Sequence, residues 1–279
     1  MKKNQSNRLT AQQIKGQGPI TIFHPDAVIH DQEVGSTAKK TVLALQEKFP
    51  TLTFRFRKCL NKREINQALN SIDSDLGQTL FVASAQIKPD GGLIEVLDDD
   101  GNWRVVLVSE AKHQGKDIEN IEKGVLVGKN KDQDTMVAGN AIERAYKNVS
   151  EIANYMLSEK YFPYVLFLEG SNFLTQDVSV TRPDGRVVTL HYNDGSLNRL
   201  DRLTAANYGM PINTNLCKNK YVLCNSGTLM LQAASIYTKG SGGHWGEDEM
   251  VSVMIDIAQT SLKMLAEDLF NQLNKTPRQ

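Results

Sequence analysis

Apolar positions along the chain recur with two periods, and the two periods mark out its elements. From Thr37 to Phe49 (TAKKTVLALQEKF), Val42, Leu43, Leu45 and Phe49 fall at helical spacing, with Ser36 in the N-cap place and Pro50 just past the end. Thr51 to Phe56 alternates like a strand, and Lys62 to Ile72 reads as a second amphipathic helix. Thr79 to Ala83 is a short apolar run. From Ala141, the residues Ile142, Ala145, Val149, Ile152, Ala153 and Met156 predict a long helix ending near Lys160. Tyr164 to Leu168 (YVLFL) has the continuous apolar character of a buried central strand. Val178 to Tyr192 predicts a hairpin around the turn Arg182-Pro183-Asp184-Gly185, and Leu229 to Tyr237 another strand. Glu247 to Asn274 is the longest helical pattern, with Met250, Val253, Met254, Ile257, Leu262, Leu265 and Leu269 near one face. Strands and helices mixed in this order predict an α/β fold, a single domain with a central mixed β-sheet flanked by helices.

The stretch Ile87 to Lys112, IKPDGGLIEVLDDDGNWRVVLVSEAK, brings chemistry into that pattern. The turn Asp98-Asp99-Asp100-Gly101-Asn102 predicts a hairpin, with Pro89-Asp90 at the mouth of its first strand and Glu110-Ala111-Lys112 at the end of the second. A period of two aims Glu110 and Lys112 to one face and Ala111 to the other. A phosphodiester resists hydrolysis because its charge repels nucleophiles and its alkoxide leaves poorly; a divalent metal counters both by polarising the phosphoryl oxygen and acidifying bound water. Mg²⁺ takes hard oxygen ligands, and Asp90, Glu110 and the backbone carbonyl of Ala111 are such ligands. Lys112 can orient the attacking water, take its proton if its pKa is lowered, or stabilise charge on the pentacovalent phosphorus. A Pro-Asp followed by E-x-K also arises by chance, and strand ends carry ordinary surface ion pairs, so the pattern alone leaves both readings open.

Composition narrows the class. The chain has 279 residues with 32 basic and 32 acidic side chains, a formal net charge of zero, which neither favours nor excludes a nucleic-acid partner. Lys2, Lys3, Arg8 and Lys15 precede the first acidic residue, Asp26, so residues 1–16 are expected to form a basic arm, disordered without DNA, ahead of a single domain over residues 17–279. No apolar run is long enough to cross a membrane and no signal-peptide pattern opens the chain, so a cytoplasmic protein is expected. Three cysteines, Cys59, Cys217 and Cys224, fit reduced thiols better than a disulfide framework.

Competing sites are weaker. Pro183-Asp184 has no E-x-K on a following strand. Asp132, Asp134 and Glu143 match three places of a calcium loop, but Met136 and Val137 stand where an oxygen ligand and a Gly belong. Cys217 and Cys224 lack the spacing and the His partners of a zinc knuckle, and the five histidines form no triad with a nucleophile.

The phrases KPDGGLIEV, EAKHQGKD, GNAIER, FPYVLFLEGSNFLT, TRPDGRVV and LNRLDRLTAANYGMPIN, in that order from an N-terminal QSNRLT, resemble the EcoRI and RsrI family of type II restriction endonucleases, of the PD-(D/E)xK nuclease superfamily. The resemblance covers nearly the whole chain. It implies a homodimer that cuts double-stranded DNA at the palindrome GAATTC with Mg²⁺, leaving 5′-phosphates and 5′ overhangs, in a bacterium whose cognate DNA methyltransferase protects its own sites. It carries the catalytic roles to Asp90, Glu110 and Lys112. It also carries base reading to Met136, Val137, Ala138, Asn140 and Ala141, to Glu143 and Arg144, and to Arg199 and Arg202. The chemistry agrees: Arg donates bidentately to guanine, Asn pairs with adenine, Glu accepts from exocyclic amines, and apolar side chains touch thymine methyls. Val137 departs from the smaller Ala of the family. The polar segment His113–Thr135 and the hairpin Gln176–Tyr192 take the places of its DNA-wrapping arms. A site-specific DNA binder without cleavage, or a Mg²⁺-dependent phosphohydrolase of small substrates, remain the alternatives of other classes.

Overall fold

A computed structural model describes residues 25–78, 84–128, 130–135, 141–192, 212–217, 220–225 and 227–265. The expected basic arm, the apolar run 79–83 and the last part of the C-terminal helical pattern lie outside them.

The described part of the chain opens with helix α1 (Pro25–Lys48), followed by strand β1 (Phe54–Arg57), β2 (Leu60–Asn61), α2 (Lys62–Ile72), β3 (Gln86–Ile87), β4 (Leu93–Leu97) and β5 (Trp103–His113). Then come α3 (Asp117–Glu122), α4 (Ala141–Tyr155), β6 (Tyr164–Glu169), β7 (Val178–Thr181), β8 (Val187–Leu190), β9 (Lys220–Cys224), β10 (Gly227–Leu231), β11 (Ser235–Thr238) and α5 (Glu247–Met264). The central sheet has five strands in the order β1-β4-β5-β6-β11. Its β1, β4 and β5 run antiparallel, while β6 pairs parallel to both β5 and β11, so the sheet is mixed as expected. Strand β6 is buried along its whole length, which is why it reads as an unbroken apolar run rather than an alternating one. Helices α1 and α5 pack on each other and on β5, while α4 meets β5 and α2.

Two boundaries differ from the sequence pattern for identifiable reasons. Helix α1 starts at Pro25, eleven residues before the expected cap, and passes through Gly35 and Ser36. Pro25 suits a first helical position, and the Ser36 hydroxyl bonds back to the Glu33 carbonyl (2.8 Å) instead of capping. Val34, Ala38 and Leu45 fill the buried stripe, while Leu43, assigned to it from spacing, is 71% exposed. The apolar run 229–237 is two strands, β10 and β11, separated at 232–234. Helix α2 matches its pattern and is closed at its start by a capping box between Asn61 and Glu64.

The segment His113–Thr135 is more ordered than a loop: β5 runs on to His113, α3 follows, and Val127 bridges Gln133. It packs with the β7–β8 hairpin around Ile121, Leu174, Val180 and Leu190, a small core separate from the main one. Arg182 and Arg186 both pair with Asp134, which fastens the hairpin turn to that segment and accounts for one acid of the discarded calcium pattern. In the turn itself Gly185 takes φ +84°, as a turn with Pro and Gly requires.

Candidate active site

Asp90 is held by a turn in which the Gly92 N–H donates to the Pro89 carbonyl (3.0 Å) and Gly92 takes φ +69°. Gly91 presses against β5: its N–H donates to the Ser109 carbonyl (2.9 Å), and a Cβ there would sit 2.1 Å from the Ser109 hydroxyl. On the other side α1 crosses the turn at Gly35, where a Cβ would lie 3.4 Å from the Asp90 carbonyl oxygen. The two glycines of PDGG thus let the turn approach its neighbours closely and fix Asp90 beside the end of β5, with α1 packed over it at Gly35.

There Lys112 Nζ lies 2.8 Å from Glu110 Oε1, donates to the Ala111 carbonyl at 2.8 Å and pairs with Asp90 Oδ2. Glu110 is 1% exposed, and its second oxygen accepts from Asn148 Nδ2 on α4 (3.1 Å) and from the Tyr164 hydroxyl on β6. Burial pushes the Glu110 pKa above its ordinary value, with Asp90 adding to the rise and Lys112 opposing it. Burial works against the Lys112 ammonium too, but Glu110 and Asp90 outweigh it and hold its pKa above the usual lysine range. Without a metal, the two carboxylates thus favour the ammonium form of Lys112. Burial beside Glu110 likewise raises the Tyr164 pKa, so its hydroxyl remains a donor.

Two carboxylate oxygens and a main-chain carbonyl converge on one cationic point, which the ammonium fills. An all-oxygen set around a single cation position has the chemistry that Mg²⁺ requires, so the residues fit that ion. An ion held there would activate a water for hydrolysis.

The family model described as Restriction endonuclease EcoRI matches residues 16–272 of this chain. The chain belongs to the EcoRI restriction endonuclease family. It is 63% identical over 271 residues, 97% of this chain and 98% of the relative, to the type II restriction enzyme EcoRI of Escherichia coli. It is also 52% identical over 267 residues, 96% of each chain, to the type II restriction enzyme RsrI of Cereibacter sphaeroides. As a member of this family it is a site-specific endonuclease acting on double-stranded DNA.

Asp90, Glu110, Ala111 and Lys112 come together as the E-x-K spacing required. Ala141, Glu143 and Arg144 lie in the first turn of α4, the helix that carries Asn148 to Glu110. Met136, Val137, Ala138, Asn140, Arg199 and Arg202 lie outside the described residues. Sequence reasoning missed Tyr164 and Asn148. Tyr164 reads as the first apolar residue of a buried strand. Asn148 carried a usable signal: it stands three residues after Ala145 and four before Ile152, a polar side chain within the buried stripe.

Among the described residues, Cys59 and Cys217 form no disulfide, and no helix is long and apolar enough to cross a membrane.

Proposed function

We propose that this endonuclease cuts both strands of GAATTC as a homodimer, using Mg²⁺ held by Asp90, Glu110 and the Ala111 carbonyl. The products would be 5′-phosphates on 5′ overhangs. The observation that carries the catalytic part is the convergence of Asp90, Glu110, Ala111 O and Lys112 Nζ on one point at the end of β5. The site itself is inferred from the family and from the motifs GNAIER and LNRLDR.

A bound Mg²⁺ supplies polarisation of the phosphoryl oxygen and acidification of a water. Asp90 and Glu110 provide the charge that retains it, and Tyr164 and Asn148 keep Glu110 oriented. Lys112, an ammonium at neutral pH, orients the attacking water through its N–H donors and offsets charge building on the phosphate oxygens. Base reading is assigned to Asn140, Glu143, Arg144, Arg199 and Arg202, with Met136, Val137, Ala138 and Ala141 against thymine methyls. The segment 113–135 and the hairpin 176–192 serve as arms along the duplex, and the basic N-terminal arm adds phosphate contacts. The protein works in the bacterial cytoplasm beside a methyltransferase of the same specificity.

The test is a pair of short duplexes, one carrying a single GAATTC and one with a base pair of it exchanged. With Mg²⁺ only the first is cut, and neither in EDTA. Equal cutting of both would refute the site. Tight binding of the first without cutting would favour a DNA-binding protein without nuclease activity.

A further inference from the structure

The side of β5 opposite Glu110 and Lys112 holds a second cluster that the cleavage chemistry does not use. His113 ends β5 and pairs in register with Glu169, which ends β6. Glu169 is 1% exposed; its Oε2 accepts from the Trp245 N–H (2.9 Å), just before α5. Its Oε1 lies 3.1 Å from His113 Nδ1 and 3.0 Å from His244 Nδ1. The two imidazoles stack with centroids 5.5 Å apart and planes 8° from parallel.

One ligand atom from each of His113, Glu169 and His244 lies within 4.8 Å of the other two. Imidazole, imidazole and carboxylate are the donors of a three-ligand zinc site whose fourth position takes water. Donors about 2.1 Å from a tetrahedral ion stand roughly 3.4 Å apart, so the separations here need little more than a turn of the rings. There is also a way in: the His244 side chain is 62% exposed and borders a cavity of about 550 Å³ that Glu119 and Glu122 make acidic.

We propose that His113, Glu169 and His244 bind one Zn²⁺ per chain, which braces the ends of β5 and β6 to the loop that starts α5. The nitrogen donors select a borderline transition ion over Mg²⁺, which keeps this site chemically distinct from the carboxylate pair across the strand.

Co²⁺ serves as the probe, added to full-length, tag-free protein stripped with a chelator. One Co²⁺ per chain binds with a visible absorption band, an equivalent of Zn²⁺ bleaches it, and Zn²⁺ raises Tm by more than Mg²⁺ does. His244→Ala, at an exposed position that leaves the core intact, loses the band and at least about 100-fold in affinity, more than the loss of an outer partner costs. Asp90→Asn keeps the band. No band in the unaltered protein, an unchanged band in His244→Ala, or its loss in Asp90→Asn each overturns the proposal.

Discussion

Lys112→Ala separates what the lysine does for the reaction from what it does for the metal-free fold. The ammonium pairs with Asp90 and with Glu110, whose side chains are 20% and 1% exposed. Removing one member of a buried ion pair costs about 3–5 kcal/mol, because the remaining charge is left without compensation. Asp90 is partly solvated and Glu110 can take up a proton, so the low end, about 3 kcal/mol, is expected here. For a domain of this size each kcal/mol moves Tm by roughly 2–4 °C, so the variant melts roughly 6–12 °C lower in EDTA. A divalent cation replaces the missing charge, and Mg²⁺ or Ca²⁺ restores most of that loss. Cleavage stays at least about 100-fold down even with Mg²⁺, since the donor to the developing phosphate charge is gone. Calorimetry with and without Mg²⁺, beside a cleavage time course, measures both effects. A Tm in EDTA equal to that of the unaltered protein, or a loss that Mg²⁺ does not recover, would refute the reasoning.

Tyr164→Phe removes a donor that favours the ionised form of Glu110, so the already raised Glu110 pKa climbs further. The acidic limb of the pH–rate profile then moves to higher pH; a shift to lower pH, or none, contradicts the assigned role. A carboxyl whose pKa is raised by folding opposes the fold once ionised, so stability falls as pH rises through the folded value, and in this variant the fall extends upward. The lost hydrogen bond to a charged group costs about 1–3 kcal/mol by denaturant titration. Gly91→Ala drives a Cβ into Ser109 and displaces Asp90, which raises the Mg²⁺ concentration needed for half-maximal cleavage. Adding Ser109→Ala removes the nearest obstructing atom, a buried hydroxyl without a partner among the described residues, and recovers part of the loss. Arg144→Lys gives up a bidentate fork for a point charge, and gel-shift affinity for GAATTC drops at least about 10-fold while binding to unrelated DNA holds.

The hairpin that brings Asp90, Glu110 and Lys112 together was legible because its signals are local. Alternation along β5 puts Glu110 and Lys112 on one face, and the turn before it, Asp98–Asn102, brings PDGG alongside. What supports that hairpin was not legible, because the supporting contacts join distant parts of the chain. Tyr164 looks like core in a run of apolar residues, and only the parallel pairing of β6 with β5 turns its hydroxyl to Glu110. Gly35 argues against a helix by propensity, yet α1 continues through it, flanked by the buried Val34 and Ala38 that pack it on the core. Glu169 and His244 stand 75 residues apart and carry no common motif; the strand end and the loop before α5 bring them together. The assignments at Asn140, Arg199 and Arg202 rest on family motifs rather than on local periodicity, since base reading depends on a partner molecule that leaves no imprint on hydrophobic spacing.

The central claim is that the carboxylate pair beside Lys112 cuts DNA at the sequence the family motifs select. Digestion of a fully sequenced plasmid with Mg²⁺, with every new end mapped, tests it most directly. The account predicts ends only at GAATTC, each with a 5′ overhang, and none in EDTA or with Asp90→Asn. Ends scattered over unrelated sequences, or unchanged cutting by Asp90→Asn, would contradict it.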